Sequence, residues 1–197
     1  PALADKAPSQ PPSPLRTNQQ RAVPLQGTGN TRDLGGLPAR GGYVRDGLVF
    51  RSGALCFATE ADLQHLAGLK LSTLLELRID PEIRRDGPDR LRLKDAIKHN
   101  VRLPMASSRG RGAEAYANYL EENRQALRGF FELLGDPGML PLLFHCSAGK
   151  DRTGILTALL LESLGTPRPL ILDDYLQSVR NSAGLEVHSE WLEVVFR

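Results

Sequence analysis

The chain has 197 residues, 41% of them hydrophobic, enough for one domain with a sizeable buried core. Its net charge of +2 gives no case for nucleic-acid binding by bulk charge, and no apolar run nears the roughly 20 residues that cross a bilayer. The two cysteines, Cys56 and Cys146, lie far apart in the chain and argue against a disulfide framework.

Residues 1–22 hold Pro8, Pro11, Pro12 and Pro14 among Ser, Gln and Ala. Such a composition buries little and continues neither helix nor sheet ladder. It reads as an extended leader, with the folded domain running from residue 23 to residue 197. A first residue that is not Met, together with this leader, favours a secreted or periplasmic location slightly over a cytoplasmic one.

Gly35, Gly36, Gly41 and Gly42 predict turns and a hairpin, followed by a short strand at Leu48 to Phe50. Thr59 is a helix cap with Glu60 and Asp62 in the first turn, ahead of an apolar stripe of Leu63, Leu66 and Leu69. Leu71 to Leu77 reads as a strand, Pro81 opens a short helix, and His99 to Leu103 is a further strand. Tyr116, Leu120, Leu127, Phe130 and Phe131 mark one long helix over residues 113–134, ended by Gly135. Leu140 to Phe144 is an apolar strand. Arg152 to Leu164, Leu170 to Val179 and Leu185 to Phe196 complete the pattern as helices. Strands alternate with helices, so the expected fold is a single α/β domain with a central, mostly parallel sheet flanked by helices.

The segment richest in chemistry is Phe144-His145-Cys146-Ser147-Ala148-Gly149-Lys150-Asp151-Arg152-Thr153-Gly154. It runs from strand through a tight loop into a helix, the arrangement in which open α/β sheets hold ligands. Free N–H groups and the positive end of a helix dipole make such a loop an anion site. Ser147, Ala148 and Gly149 are small enough for the backbone to wrap an anion closely. Cys146 stands at the base, where a helix N-terminus and nearby cations favour the thiolate, the nucleophilic form. Arg152 is placed to grip two phosphoryl oxygens with its fork. Together they supply what phosphoryl transfer demands: an in-line nucleophile and positive groups around the equatorial oxygens. His145 is expected to orient the local backbone, and Thr153 to donate a hydrogen bond to the sulfur. Lys150 reads equally as a contact to a second phosphate or as a solvated side chain.

These residues resemble the protein tyrosine phosphatase superfamily, whose signature is His-Cys, five residues, then Arg and Ser or Thr. The form Ala148-Gly149-Lys150-Asp151-Arg152-Thr153-Gly154 is similar to the bacterial tyrosine/serine branch, of dual or triple specificity. Further resemblance lies in Asn30 to Gly36, Leu48 to Leu55, Glu76-Leu77-Arg78 through Glu82, and Asp174-Tyr175-Leu176. The likeness covers about residues 28–181. It implies a phosphatase fold and hydrolysis of phosphotyrosine, with phosphoserine, phosphothreonine or phosphoinositides as further substrates, through a phosphocysteine. It implies no cofactor, and the four scattered His show no metal-ligand spacing. A phosphorylated protein or phosphoinositide is the expected partner, and a monomer the expected state. The branch usually has Asp-Leu-Arg where Glu76-Leu77-Arg78 stands here, and relatives often extend further beyond Trp191.

The general acid is less legible. The stretch Pro104 to Gly112 carries no carboxylate, so Asp151 is the first choice, with Glu114, Glu76 and Asp80 as alternatives. Arg109 and Arg111 read equally as a basic rim and as a solvated loop. Asp33, Arg78 and Glu76 are expected to support the site, and Arg51 and Asp174 to brace the fold near it. Cys56 reads as a small apolar filler, His65 and His188 as surface residues, Tyr175 and Trp191 as core. Two other functions fit a cysteine loop before a helix: a phosphatase-like binding module, and a rhodanese-like sulfurtransferase. The spacing of Arg152 from Cys146 favours phosphate. An enzymatic reading requires the sulfur to face a cavity bounded by the guanidinium.

Overall fold

The computed structural model describes residues 15–92, 97–101, 112–180 and 188–197. The first described element, α1 (Asn18–Arg21), is held by a capping box between Thr17 and Gln20. Its Arg21 is buried, so the folded domain takes in residues ahead of Val23. Three short strands come after it: β1 (Arg32–Asp33), and the hairpin of β2 (Pro38–Ala39) and β3 (Gly42–Tyr43). The predicted strand near Leu48 is β4 (Val49–Ser52), and the Thr59 cap starts α2 (Glu60–Gly68) with the Asp62 capping box in place.

β5 (Thr73–Glu76), α3 (Asp80–Asp86) and β6 (Ile97–Asn100) come next. The predicted strand at His99 to Leu103 therefore sits about two residues earlier. The single long helix predicted over residues 113–134 is two helices, α4 (Ala113–Glu122) and α5 (Arg124–Gly135). They break at Asn123, whose ψ of 17° leaves the helical region; apolar periodicity runs on across such a break and does not report it. β7 (Leu142–His145) leads into α6 (Asp151–Ser163), then α7 (Arg168–Arg180) and α8 (Ser189–Glu193). Leu185, the predicted start of the last helix, and Arg109 and Arg111 lie outside the described residues.

The sheet has the order β1-β4-β7-β5-β6, with β4, β7, β5 and β6 parallel and β1 antiparallel at the edge. Ser52 and Glu76 both pair with His145 in the register, so three neighbouring strands end level with one another. The segments leaving these three strands meet beyond the carboxyl edge of the sheet. α6 is buried on nearly every face, which its near-continuous apolar sequence requires. One core cluster joins α4, α5, α6, α7 and α8 to β5 and β7; a second packs α2 against the other face of the sheet. Gly154 lets α7 approach: a Cβ there would lie 2.9 Å from the Tyr175 ring. That closeness brings Asp174 under the loop after β7.

Candidate active site

The loop from Cys146 to Lys150 is tied back through its carbonyls. Ala54 N–H donates to Ser147 O (2.9 Å), and the Asn30 side-chain amide donates to Ala148 O and Gly149 O (3.1 Å each). Arg51 Nη2 donates to Gly149 O at 2.8 Å. In a trans peptide the N–H points opposite to the carbonyl. The N–H groups of Ala148, Gly149 and Lys150 are therefore turned away from this scaffold, toward the inside of the loop. Gly149 has φ +67°, and a Cβ on it would lie 2.5 Å from Ser52 O, so only glycine fits without strain.

Beneath the loop, Asp174 accepts hydrogen bonds from Arg21 (2.9 Å), Arg32 (3.0 Å) and Arg51 (2.7 Å). All four side chains are buried. Burial opposes the Asp174 charge, but Arg32, Arg51 and Arg21 outweigh it and hold the carboxyl well below the usual range. Burial and then the charge of Arg32 lower the Arg51 guanidinium to about 9, with Asp174 pulling the other way. Three guanidiniums on one carboxylate leave a positive surplus under the loop, which favours an anion above it. Arg32 also donates to Asn30 Oδ1 at 2.6 Å, fixing which end of that amide faces the loop.

On the opposite side stands a second ionic cluster. Arg78 donates to Glu76 (2.6 Å) and Asp89 (2.9 Å), and Lys98 pairs with Glu76 (2.8 Å) and Asp89 (3.1 Å). His145 meets Asp89 through Nε2 at 3.0 Å and the Cys146 carbonyl through Nδ1 at 3.2 Å. Glu76, Asp89 and His145 lie close enough together to hold a cation, but Arg78 and Lys98 already neutralise the two carboxylates. Glu76 is thereby buried and engaged by both cations, and Arg78 is buried in the same cluster.

Cys146 and Arg152 are enclosed, contrary to the open sulfur that the enzymatic reading of the sequence requires. Cys146 is 2% exposed and Arg152 6%. The Arg152 fork grips Glu82 of α3 through both terminal nitrogens, at 2.6 and 2.5 Å, and Ser147 Oγ donates to the same carboxylate at 2.7 Å. The guanidinium thus turns inward, but an internal anion holds it. Burial alone would raise the Glu82 carboxyl; the bonds from Arg152, the Ile79 N–H and Ser147 outweigh burial and hold it at about 2. Burial likewise opposes the charge on Arg152, while Glu82 and the Cys146 sulfur favour it.

Asp151, the first residue of α6, accepts from the Tyr116 hydroxyl (2.6 Å), which is 2.6 Å from the Tyr175 hydroxyl. Lys150 lies 3.4 Å from Asp151 and 5.4 Å from the Trp191 ring centroid. Glu114 is exposed on α4, and Asp80 starts α3. Of the candidate acids, Asp151 alone directly follows the loop.

Two expected contacts are absent among the described residues. The Thr153 hydroxyl does not reach the sulfur: it is buried with no hydrogen-bond partner, because α6 carries it into the helix body. Asp33 braces a turn, but not at the loop: it accepts from Gly35 N–H, Gly47 N–H and Arg16. Sequence reasoning missed Asp89, Arg21 and the buried, unpaired hydroxyl of Tyr119, and it included Asn30 only within a resemblance. It included Glu82 only as part of a resemblance, not as the partner of Arg152. No local pattern marks any of them, since each meets the loop only across the fold.

A family model described as the tyrosine phosphatase family matches residues 23–193, most of the chain. The chain belongs to the tyrosine phosphatase family. A Cupriavidus necator chain named as a tyrosine-protein phosphatase is 34% identical over 173 residues, covering 78% of this chain and 62% of that one. A tyrosine-protein phosphatase of Nostoc commune is 31% identical, over 64% of this chain and 46% of that one. The triple specificity protein phosphatase of Mycobacterium tuberculosis is 30% identical, over 78% and 68% respectively. The chain thus spans less than two thirds of the first two relatives' length. Among solved structures, the catalytic core of Siw14 matches at a TM-score of 0.47 with 17% identity, over 75% of this chain and 78% of that one.

Proposed function

We propose that this member of the tyrosine phosphatase family is a cysteine-dependent phosphatase acting on phosphate monoesters. The observation that carries the reading is the loop itself. Its carbonyls are tied outward, its N–H groups turned inward, Cys146 stands at its base and Arg152 at its far end.

The Cys146 thiolate attacks phosphorus in line, forming an S–P bond as the ester P–O bond breaks. Loop N–H groups and Arg152 take the charge on the equatorial oxygens. Asp151, the carboxyl next to the loop, is the group assigned to pass a proton to the leaving oxygen. Water then attacks the phosphocysteine, passing a proton to the Asp151 carboxylate, and the S–P bond breaks to release phosphate and the Cys146 thiolate. Arg152 must share its fork between Glu82 and the phosphoryl group, or pass from one to the other. Phosphotyrosine is the first substrate on this reading, with phosphoserine, phosphothreonine or a phosphoinositide as further ones. The specificity named for the Mycobacterium relative supports that breadth.

A second reading, a domain that binds phosphorylated ligands without turnover, is favoured by the closed sulfur and the occupied Arg152. Hydrolysis of p-nitrophenyl phosphate separates the two. The phosphatase reading expects turnover that is lost in Cys146→Ser, blocked by vanadate and insensitive to EDTA. Tight phosphate binding with no turnover by the unaltered chain favours the second reading.

A further inference from the structure

The two tyrosines that α4 buries spend their hydroxyls differently. Tyr116 donates its hydroxyl to Asp151 at 2.6 Å and lies as close to the Tyr175 hydroxyl. Tyr119 stands one turn further along, on the same face of the helix. It is fully buried in the cluster that also holds Cys146, Leu77 and Ile155, and its hydroxyl has no hydrogen-bond partner among the described residues. It donates neither to the Cys146 sulfur nor to Glu82, the anion that grips Arg152.

We infer that the Tyr119 hydroxyl is a further substrate contact: it donates a hydrogen bond to an oxygen of the phosphoryl group seated between Cys146 and Arg152. This role rests on the phosphatase reading above, which puts a phosphoryl group there.

A phenol buried without a bond is less favourable than a phenyl ring of the same shape, because its hydroxyl gives up water and gains nothing. That loss is made good when a ligand brings an acceptor, and the equatorial oxygens of a phosphoryl group are acceptors carrying negative charge. The hydroxyl lies where such a group would sit. The charges of Arg152 and Cys146 both act on it, and it acts in turn on Arg152; Coulomb energy falls with distance, so both are near. Burial pushes the phenol's titration above its ordinary value, with Arg152 opposing and the Cys146 sulfur adding to the shift, so the group stays a donor at neutral pH. Tyr116 and Tyr175, already bonded to each other, do not take this part. A contact to the phosphoryl oxygens, not to the organic half of the ester, serves every monoester alike and extends to inorganic phosphate.

The test uses the intact chain and inorganic phosphate, and needs no turnover. Phosphate affinity is read from the rise of the unfolding midpoint with phosphate concentration, at constant ionic strength. Tyr119→Phe removes the hydroxyl and keeps the ring. The variant should bind phosphate about tenfold more weakly, the loss expected for one hydrogen bond to a charged acceptor. Without phosphate it should melt no lower than the unaltered chain, since the hydroxyl it lacks had no partner. Equal phosphate affinity overturns the proposal. So does a variant that melts lower without phosphate or does not fold, because the hydroxyl then had a partner inside the fold. No phosphate binding by the unaltered chain overturns the contact and the phosphatase reading together. Aryl phosphate hydrolysis by the unaltered chain with equal phosphate affinity in Tyr119→Phe sinks the contact alone. Weakened binding in Tyr119→Phe, with no aryl phosphate hydrolysis by the unaltered chain, refutes the phosphatase reading and leaves the contact standing.

Discussion

Glu82 offers the sharpest quantitative check, because its carboxylate is gripped by the guanidinium that the phosphoryl group also needs. Replacing it in Glu82→Gln removes the charge and keeps the shape. The ordinary carboxyl value of 4.5 falls to about 2 in the folded chain, a gap of about 3 kcal/mol if fully expressed. The Glu82 side chain is 18% exposed and lies at the rim, so solvent screening reduces this to about 1–2 kcal/mol. The folded value is depressed, so the stabilisation is complete above pH 4.5 and is lost as pH falls through about 2. Urea denaturation of both proteins at pH 6 and pH 2.5 reads the difference. The unaltered chain should exceed the variant by about 1–2 kcal/mol at pH 6, with most of that margin gone at pH 2.5. Asp89 and Asp174 titrate in both proteins and cancel. A margin that stays constant across that range would refute the bidentate grip.

Asp174→Asn strands Arg21, Arg32 and Arg51 in the interior and should cost about 3–5 kcal/mol by denaturant unfolding; a loss under 1 kcal/mol would mean the arginines are not held by that charge. Gly149→Ala forces a side chain against Ser52 O at φ +67°. It should cost about 1–3 kcal/mol in thermal unfolding and lower aryl phosphate turnover, and a fully active, equally stable variant would show the loop is not wound this tightly. Asp151→Asn should slow alkyl phosphates more than aryl phosphates with good leaving groups, about 10²-fold against little. Equal loss on both removes Asp151 as proton donor.

Much of the domain could be read without coordinates. The Thr59 cap, the Gly-marked hairpin, the apolar strand before Cys146 and the helix after it are set by neighbouring residues, and the structure has them in place. So is the cysteine-to-arginine spacing, since one loop and the first turn of one helix carry it. The long helix divided at Asn123 was not legible, because a break of one residue leaves the apolar period intact.

The charges around the loop obey a different logic. Arg21, Arg32, Arg51 and Asp174 come from four elements, and Glu76, Arg78, Asp89, Lys98 and His145 from separate strands and connections. In sequence Arg21, Asp89 and Lys98 look like ordinary surface residues, and the others read as near the site but without their partners, as buried charges are rare and have no periodic mark. Chain order alone thus determined the fold class and the strand–loop–helix that carries Cys146 and Arg152, because local backbone geometry needs only neighbours. Only the tertiary structure decided which carboxylate answers which cation and how far the sulfur is enclosed. Coulomb energy and burial depend on distance in space, and the packing of α7 on α6 and the level ends of three strands set those distances.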